Sequence, residues 1–300
     1  MHFHIRRCRG LNSVCIGWIN TRLLISACDK FCFAISLRLL TSMKMKAVIL
    51  AAGKGTRMQH LTTAVPKPML QIAGKPILEY IVQALVKNNV REIFIITGYR
   101  AEVVEQYFKT GEAFGVRIQY GRQIVQDGTG KAPELAIDFI GDSPFLLMYG
   151  DIIVPPTVYG ELIRLFHTRG PHAVIAVTSG EDVQKGGLCI FSEGFQLTTI
   201  VEKPSESEME ELKNAGVIQP GGPLWYNAGI YVFTPILFTF TAKLQKSRRG
   251  EYELTDAIKN MVASGYQVLG VPIIGPWYDV RDPGVLQSLQ EKPPEFMLSL

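Results

Sequence analysis

The sequence predicts an α/β fold: a mostly parallel, doubly wound sheet with helices on both faces. Three observations carry this. Apolar, β-rich runs alternate with segments of helical periodicity along residues 45–300, the pattern of strands joined by crossover helices. The run Ala47-Val48-Ile49-Leu50 passes straight into a glycine-bearing loop, as a strand of such a sheet does when it opens at its C-terminal end. No hexapeptide or other internal repeat occurs, so no β-helix domain of stacked coils is expected.

Taken in order, strands are expected at 47–51, 92–97, 116–120, 145–148, 173–177, 187–191, 197–201, 229–233 and 267–271. Helices are expected at 75–88, 101–109, 130–139, 156–168, 205–214, 235–245, 254–263 and 283–291. In the first helix Ile77, Leu78, Ile81 and Leu85 fall on one stripe, the spacing of a core-facing surface. Asp282 followed by Pro283 marks the start of the last helix. Residues 203–224 are polar, with Glu202, Glu206, Glu208, Glu210 and Glu211 close together, and read as a solvated helix or loop.

The chain has 300 residues, 47% hydrophobic and 19% charged, a globular composition with ample core. Its net charge of +4 is unevenly placed. Residues 1–44 contain seven basic residues and the single acid Asp29, while the rest is close to neutral. The bulk charge of residues 45–300 therefore suggests neither a nucleic-acid nor a membrane partner. Cys8, Cys15, Cys28 and Cys32 lack zinc-site spacing, and Cys189 reads as a small buried apolar residue. Apolar runs in 1–44 are broken by Arg22, Asp29-Lys30 and Arg38, against a signal peptide or a spanning helix. The expectation is a disordered or loosely helical extension arising from an upstream start, with Met43 or Met45 as the beginning and 45–300 as the domain; an organellar presequence, which the arginine excess and scarcity of acids suit, is the other reading. A cytoplasmic location is expected.

Residues 50–70, LAAGKGTRMQHLTTAVPKPML, carry the chemistry. Leu50, Ala51, Ala52, Gly53, Gly55 and Thr56 form a loop whose backbone N–H groups could approach a phosphate. Arg57 adds a planar fork of donors. Lys67 adds a point charge, its backbone restricted by Pro66 and Pro68. The spacing is neither that of a Walker A loop nor of a dinucleotide fingerprint, since Met58 stands where a third glycine is needed. A second block runs from Gln123 to Gly128, Thr129 and Gly130. An amide side chain both donates and accepts, as reading a pyrimidine edge requires. Tyr149-Gly150-Asp151 ends an apolar run, and one or two carboxylates with substrate phosphates make a Mg²⁺ site. By itself Gly-Asp is also an ordinary turn.

Residues 50–70 resemble the signature of the sugar-1-phosphate nucleotidyltransferases, roughly L-A-[AG]-G-x-G-T-R-[LM]-x-P-L-T and then P-K-[PA]-[ML]-[LV], with His60 in place of a proline. Later blocks resemble that family in order: Glu202-Lys203-Pro204, Tyr226-Asn227-Ala228-Gly229-Ile230-Tyr231, Glu251–Asp256 and Trp277-Tyr278-Asp279-Val280. The resemblance implies transfer of a nucleotidyl group from an NTP to a sugar-1-phosphate, with release of pyrophosphate. It implies that Arg57 and Lys67 hold the triphosphate and Gln123 the base. Gly187, Glu202, Lys203 and Asn227 would hold the sugar phosphate, with Asp151 and Asp279 on Mg²⁺. The Gly-Thr-Gly form of 128–130 favours UTP or dTTP, and glucose-1-phosphate is the default acceptor. The Glu251–Asp256 block reads as mostly structural. Family members form dimers and tetramers, so a homo-oligomer is open. Arg281-Asp282 departs from the family's Gly-Thr or Asn-Thr. Two other readings remain: a cytidylyltransferase acting on a non-sugar phosphate, and a non-catalytic regulatory subunit.

Overall fold

A computed structural model describes residues 44–300 apart from Pro220. The expectations for residues 1–43 lie outside the described residues. The strands are β1 (Lys46–Ala51), β2 (Gln71–Ile72), β3 (Lys75–Pro76), β4 (Glu92–Thr97), β5 (Arg117–Arg122), β6 (Phe145–Tyr149), β7 (Ile152–Ile153), β8 (Ala173–Ser179), β9 (Gly187–Phe191), β10 (Leu197–Glu202), β11 (Trp225–Phe233), β12 (Val268–Pro272) and β13 (Tyr278–Asp279). The helices are α1 (Ile77–Lys87), α2 (Ala101–Phe108), α3 (Ile137–Ile140), α4 (Pro156–Arg169), α5 (Glu206–Asn214), α6 (Leu237–Thr241), α7 (Leu254–Ala263), α8 (Pro283–Glu291) and α9 (Glu295–Leu298).

The main sheet runs β10-β9-β11-β6-β1-β4-β5, with β8 pairing both β11 and β12. The half β6-β1-β4-β5 is parallel throughout, as is the β8–β12 pair. One strand, β11, enters antiparallel to β6, β8 and β9. The expected parallel, doubly wound core is therefore present, and β11 joins it to the hairpin β9–β10. Side chains of β1 alternate between two cores. Ala47, Ile49 and Ala51 face Leu78, Ile81, Val104, Phe108 and Tyr159 from α1, α2 and α4. Val48 faces Ala136, Ile140, Leu237, Leu254 and Ile258 from the opposite layer. Strands buried on both faces explain the near-continuous apolar runs.

Some boundaries differ from expectation, each for a local reason. Residues 130–139 form a 3-10 turn, Ala132–Ala136, and then the short α3, because Pro133 lies inside the segment. Residues 235–245 shorten to α6: Ala242 O accepts from Lys131 Nζ at 3.4 Å, and Leu244 turns into the core. Strand β11 begins at Trp225 rather than 229. The chain passes Gly229 at φ 72° and absorbs it as an irregularity in register. Helix α5 carries a capping box between Ser205 and Glu208, and Asp282 Oδ1 caps α8 from Val285 N at 3.1 Å. Among the described residues no helix is long and apolar enough to cross a membrane.

Candidate active site

The C-terminal ends of β1 and β6 open on a cavity of about 430 Å³, where ligands sit in open α/β sheets. Leu50, Ala51, Ala52, Gly53, Gly55, Thr56, Arg57 and Lys67 line one wall. Gln123, Gly128 and Thr129 line another, and Tyr149, Gly150 and Asp151 form the floor. Residues predicted from three separate stretches of sequence therefore meet in one place.

Local packing explains how each is held. Arg57 sits in a 3-10 turn, Thr56–Thr62, anchored by Met58, which is fully buried against Ile72, Ile77, Tyr80 and Leu286. Gly55 adopts φ 63°, and a Cβ there would lie 3.0 Å from Lys67 Cβ. Glycine is thus required both for the left-handed turn and to let the lysine stem pass. Lys67 opens the short turn Lys67–Met69 and forms an ion pair with Asp151. Gly128 adopts φ 116° and pairs with Tyr252, so close that a Cβ would fall 2.2 Å from its carbonyl oxygen. Gln123 Nε2 donates to Gly128 O at 3.0 Å, closing the 123–128 loop on itself. The Thr129 hydroxyl accepts from Leu254 N at 3.4 Å, at the start of α7.

Asp151 and Asp279 are brought together by the small β7–β13 ladder. Asp279 pairs with Ile152, and Val280 N donates to Asp151 O at 3.0 Å. Burial, and then the neighbouring Asp151 charge, push the Asp279 carboxyl up to about 6, opposed by Lys67 and Arg281. A like-charged, part-buried carboxylate pair is relieved by a cation.

Gly187, Glu202, Lys203, Asn227 and Asp279 are not among the residues lining this cavity; Asn227 reaches its wall through Tyr231, whose hydroxyl meets that of Tyr149 at 3.5 Å, and Glu202 acts on Tyr149 through its charge. Gly187 pairs with Glu202 across β9–β10. Burial first, and Glu253 second, raise the Glu202 carboxyl above the ordinary carboxylate range. Its Oε2 accepts from the Thr255 hydroxyl at 3.2 Å, and Arg249 lies 3.8 Å from Oε1. Asn227 is buried; its Nδ2 donates to the Tyr231 hydroxyl at 2.7 Å and its Oδ1 accepts from Gly229 N at 3.2 Å. Lys203 holds φ 44°, an uncommon value for a residue with a side chain.

Several neighbours escape sequence reasoning. Glu251 and Arg281 line the cavity. Arg249 pairs with Glu251 and with Glu253 at 2.8 Å each. Through Tyr252 on Gly128 and Thr255 on Glu202, the Glu251–Asp256 block supports the Gly128 loop and the Glu202 carboxylate, a structural role of the kind read from the sequence. Glu251, Glu253 and Asp256, three acids within six residues around a helix start, carried the signal.

The nucleotidyl transferase family matches residues 46–295. The low-salt glycan biosynthesis nucleotidyltransferase Agl11 of Haloferax volcanii is 32% identical over 80% of this chain and 63% of its own length. A bifunctional protein GlmU of Methanococcus maripaludis is 34% identical over 80% of this chain and 52% of its own. The chain thus spans between half and two thirds of these relatives. It covers 92% of the UTP–glucose-1-phosphate uridylyltransferase AglF of Haloferax volcanii, at 32% identity over 80% of this chain. A structure from Bacillus anthracis described as a glucose-1-phosphate thymidylyltransferase superposes with TM-score 0.70 at 25% identity, covering 85% of this chain and 99% of that one. A UDP-glucose pyrophosphorylase structure shares the fold, with TM-score 0.71 at 23% identity over 83% of this chain and 98% of that one. With the family matched along almost the whole described chain, and the predicted glycine loop, Arg57, Lys67 and Asp151 lining one cavity, this chain belongs to the nucleotidyl transferase family.

Proposed function

We propose that the protein transfers a nucleotidyl group from UTP or dTTP to a sugar-1-phosphate, glucose-1-phosphate by preference, giving a nucleotide-sugar and pyrophosphate. One observation carries this most: Arg57, Lys67 and Asp151 share a single cavity with the glycine backbone and Gln123, next to a wall bearing Glu202, Lys203 and Asn227. AglF, a relative matched over most of its length, is a uridylyltransferase acting with glucose-1-phosphate by its name.

In this reaction an oxygen of the sugar phosphate attacks the α-phosphorus of the NTP. The bond from that phosphorus to the bridging oxygen of the β-phosphate breaks, and pyrophosphate leaves in line. No covalent enzyme intermediate is needed. The protein positions two anions and spreads the developing charge. Arg57 and Lys67 hold the triphosphate, Gly53 and Gly55 offer backbone N–H groups, and Lys203 brings in the acceptor phosphate. Glu202 and Asn227 bind sugar hydroxyls, and Gln123 reads the base.

Asp151 and Asp279 are the groups that would hold Mg²⁺. Their adjacency and the raised Asp279 carboxyl fit a site of two carboxylates completed by substrate phosphates. When bound, the ion would neutralise phosphate charge. The reading places the protein in the cytoplasm, where nucleotides and sugar phosphates are dissolved. The test is pyrophosphate release from a matrix of UTP, dTTP, CTP, GTP and ATP against glucose-, N-acetylglucosamine- and mannose-1-phosphate. Release in one or two cells supports the reading and names the substrates. Silence throughout removes it.

A further inference from the structure

Substrates of the proposed reaction would bridge two walls. One carries Asp151 and Asp279 on the β7–β13 ladder. The other carries Gly187 on β9, Glu202 at the end of β10 and Lys203 just after it. A side-chain link crosses between them. Arg281 Nη2 donates to Glu181 Oε2 at 2.6 Å, between residues 100 apart in sequence. Both side chains are largely covered, 22% and 28% exposed, so solvent screens the pair less than an open surface pair. A charged hydrogen bond this short is of the stronger kind.

Each end of the link is tied to the site by backbone. Arg281 follows Asp279 by two residues, and its own N–H donates to Asp279 O at 2.7 Å. Glu181 leads into the turn Val183–Lys185, which Asp182 caps through Gln184 N at 3.1 Å. That turn ends at Gly186, whose carbonyl accepts from Lys203 N at 2.7 Å. Lys203 keeps its left-handed φ of 44°, a conformation that persists only where the surroundings enforce it. Gly186 has no freedom to move inward, since a Cβ there would already lie 2.2 Å from the Tyr226 hydroxyl.

We propose that Arg281 is a positioning residue: through Glu181 it holds the 181–186 turn, and with it Lys203, in register with Asp151 and Asp279. The role of Lys203 rests on the function proposed above; the link itself does not. It also gives a use to the arginine that departs from the family pattern. A second tie runs from the β13 side to β11, which pairs β9, because Trp277 Nε1 donates to Ala228 O at 3.0 Å and its ring meets Tyr226 edge-on. Loss of the ion pair therefore loosens one turn and leaves the fold standing.

The experiment is hydrogen exchange at the Lys203 amide and the 183–187 backbone in the full chain, comparing wild type with Arg281→Gln, Glu181→Gln and the double variant. Each single change should speed exchange about tenfold, and the double should add nothing, as expected of two residues acting through one contact. Arg281→Lys should restore part of the protection. In turnover, Glu181→Gln, which lies outside the cavity lining, should raise KM for the sugar-1-phosphate about tenfold while KM for the NTP stays within about twofold. Unchanged exchange, or additive effects in the double variant, overturns the link. Faster exchange with an unmoved acceptor KM overturns the positioning role. If wild type turns over no substrate pair, the function proposed above fails, and exchange alone still decides whether the link holds the turn.

Discussion

Lys67 is the most informative residue to change. Its side chain is 12% exposed and pairs with Asp151, itself 23% exposed. At the edge of a protein, where the effective dielectric is about 20, two unit charges about 4 Å apart attract by about 4 kcal/mol. The pair is partly hydrated, so its net contribution to stability is discounted to about 1 kcal/mol. Lys67→Ala should thus lower Tm by no more than about 4 °C. If Lys67 holds the triphosphate as proposed, the catalytic loss should be larger, because charge on the α-phosphoryl group beside the ammonium would grow in the transition state. Loss of a contact of that kind costs about 3 kcal/mol, or roughly 100-fold in kcat. Lys67→Met, which keeps the stem beside Gly55, should lose as much, since only the charge is missing. At the proposed Mg²⁺ site, the ion pair of Lys67 with Asp151 would compete with the cation, so both variants should need less Mg²⁺ for half-maximal rate. The assay is pyrophosphate release at saturating NTP and acceptor, with a Mg²⁺ titration and a thermal melt on each variant. A kcat within about threefold of wild type would refute the reasoning.

Two glycines in the same cavity should respond differently. Gly128→Ala puts a methyl group 2.2 Å from the Tyr252 carbonyl at φ 116°, and should lose about 3 kcal/mol in urea unfolding. Gly53→Ala meets nothing within 4 Å, so stability should stay within about 0.5 kcal/mol, while the NTP KM rises because the methyl group blocks backbone approach. Glu202→Gln should raise the stability of the unliganded protein near neutral pH and raise the acceptor KM. A carboxyl whose folded pKa lies above its unfolded value binds its proton more tightly when folded, so stability falls as pH rises from the unfolded to the folded pKa. The glutamine removes that penalty, and the pH dependence of Tm across this window should flatten. Chelation of divalent cations should abolish turnover and leave the far-UV spectrum unchanged, since neither carboxylate of the pair holds a core element; unfolding on chelation would assign the ion a structural role.

Local pattern determined much of this protein before any coordinates. Strand identity follows from runs such as 47–50 and 145–148, because burial on both faces demands apolar residues at every position. The glycine loop, Arg57 and Lys67 are legible because their backbone and charge requirements act within a few residues. Tertiary structure decided the rest. The entry of β11 from Trp225 depends on how Gly229 bends past Tyr149 and Ile152, a contact between strands that no local window contains. The meeting of Asp151 with Asp279 depends on a two-residue ladder between segments far apart in sequence. Arg249 on Glu202, Thr129 on the start of α7 and Arg281 on Glu181 are pairings of the same kind. Charge and hydrogen-bond partners are chosen by distance in space, and only the folded chain sets that distance.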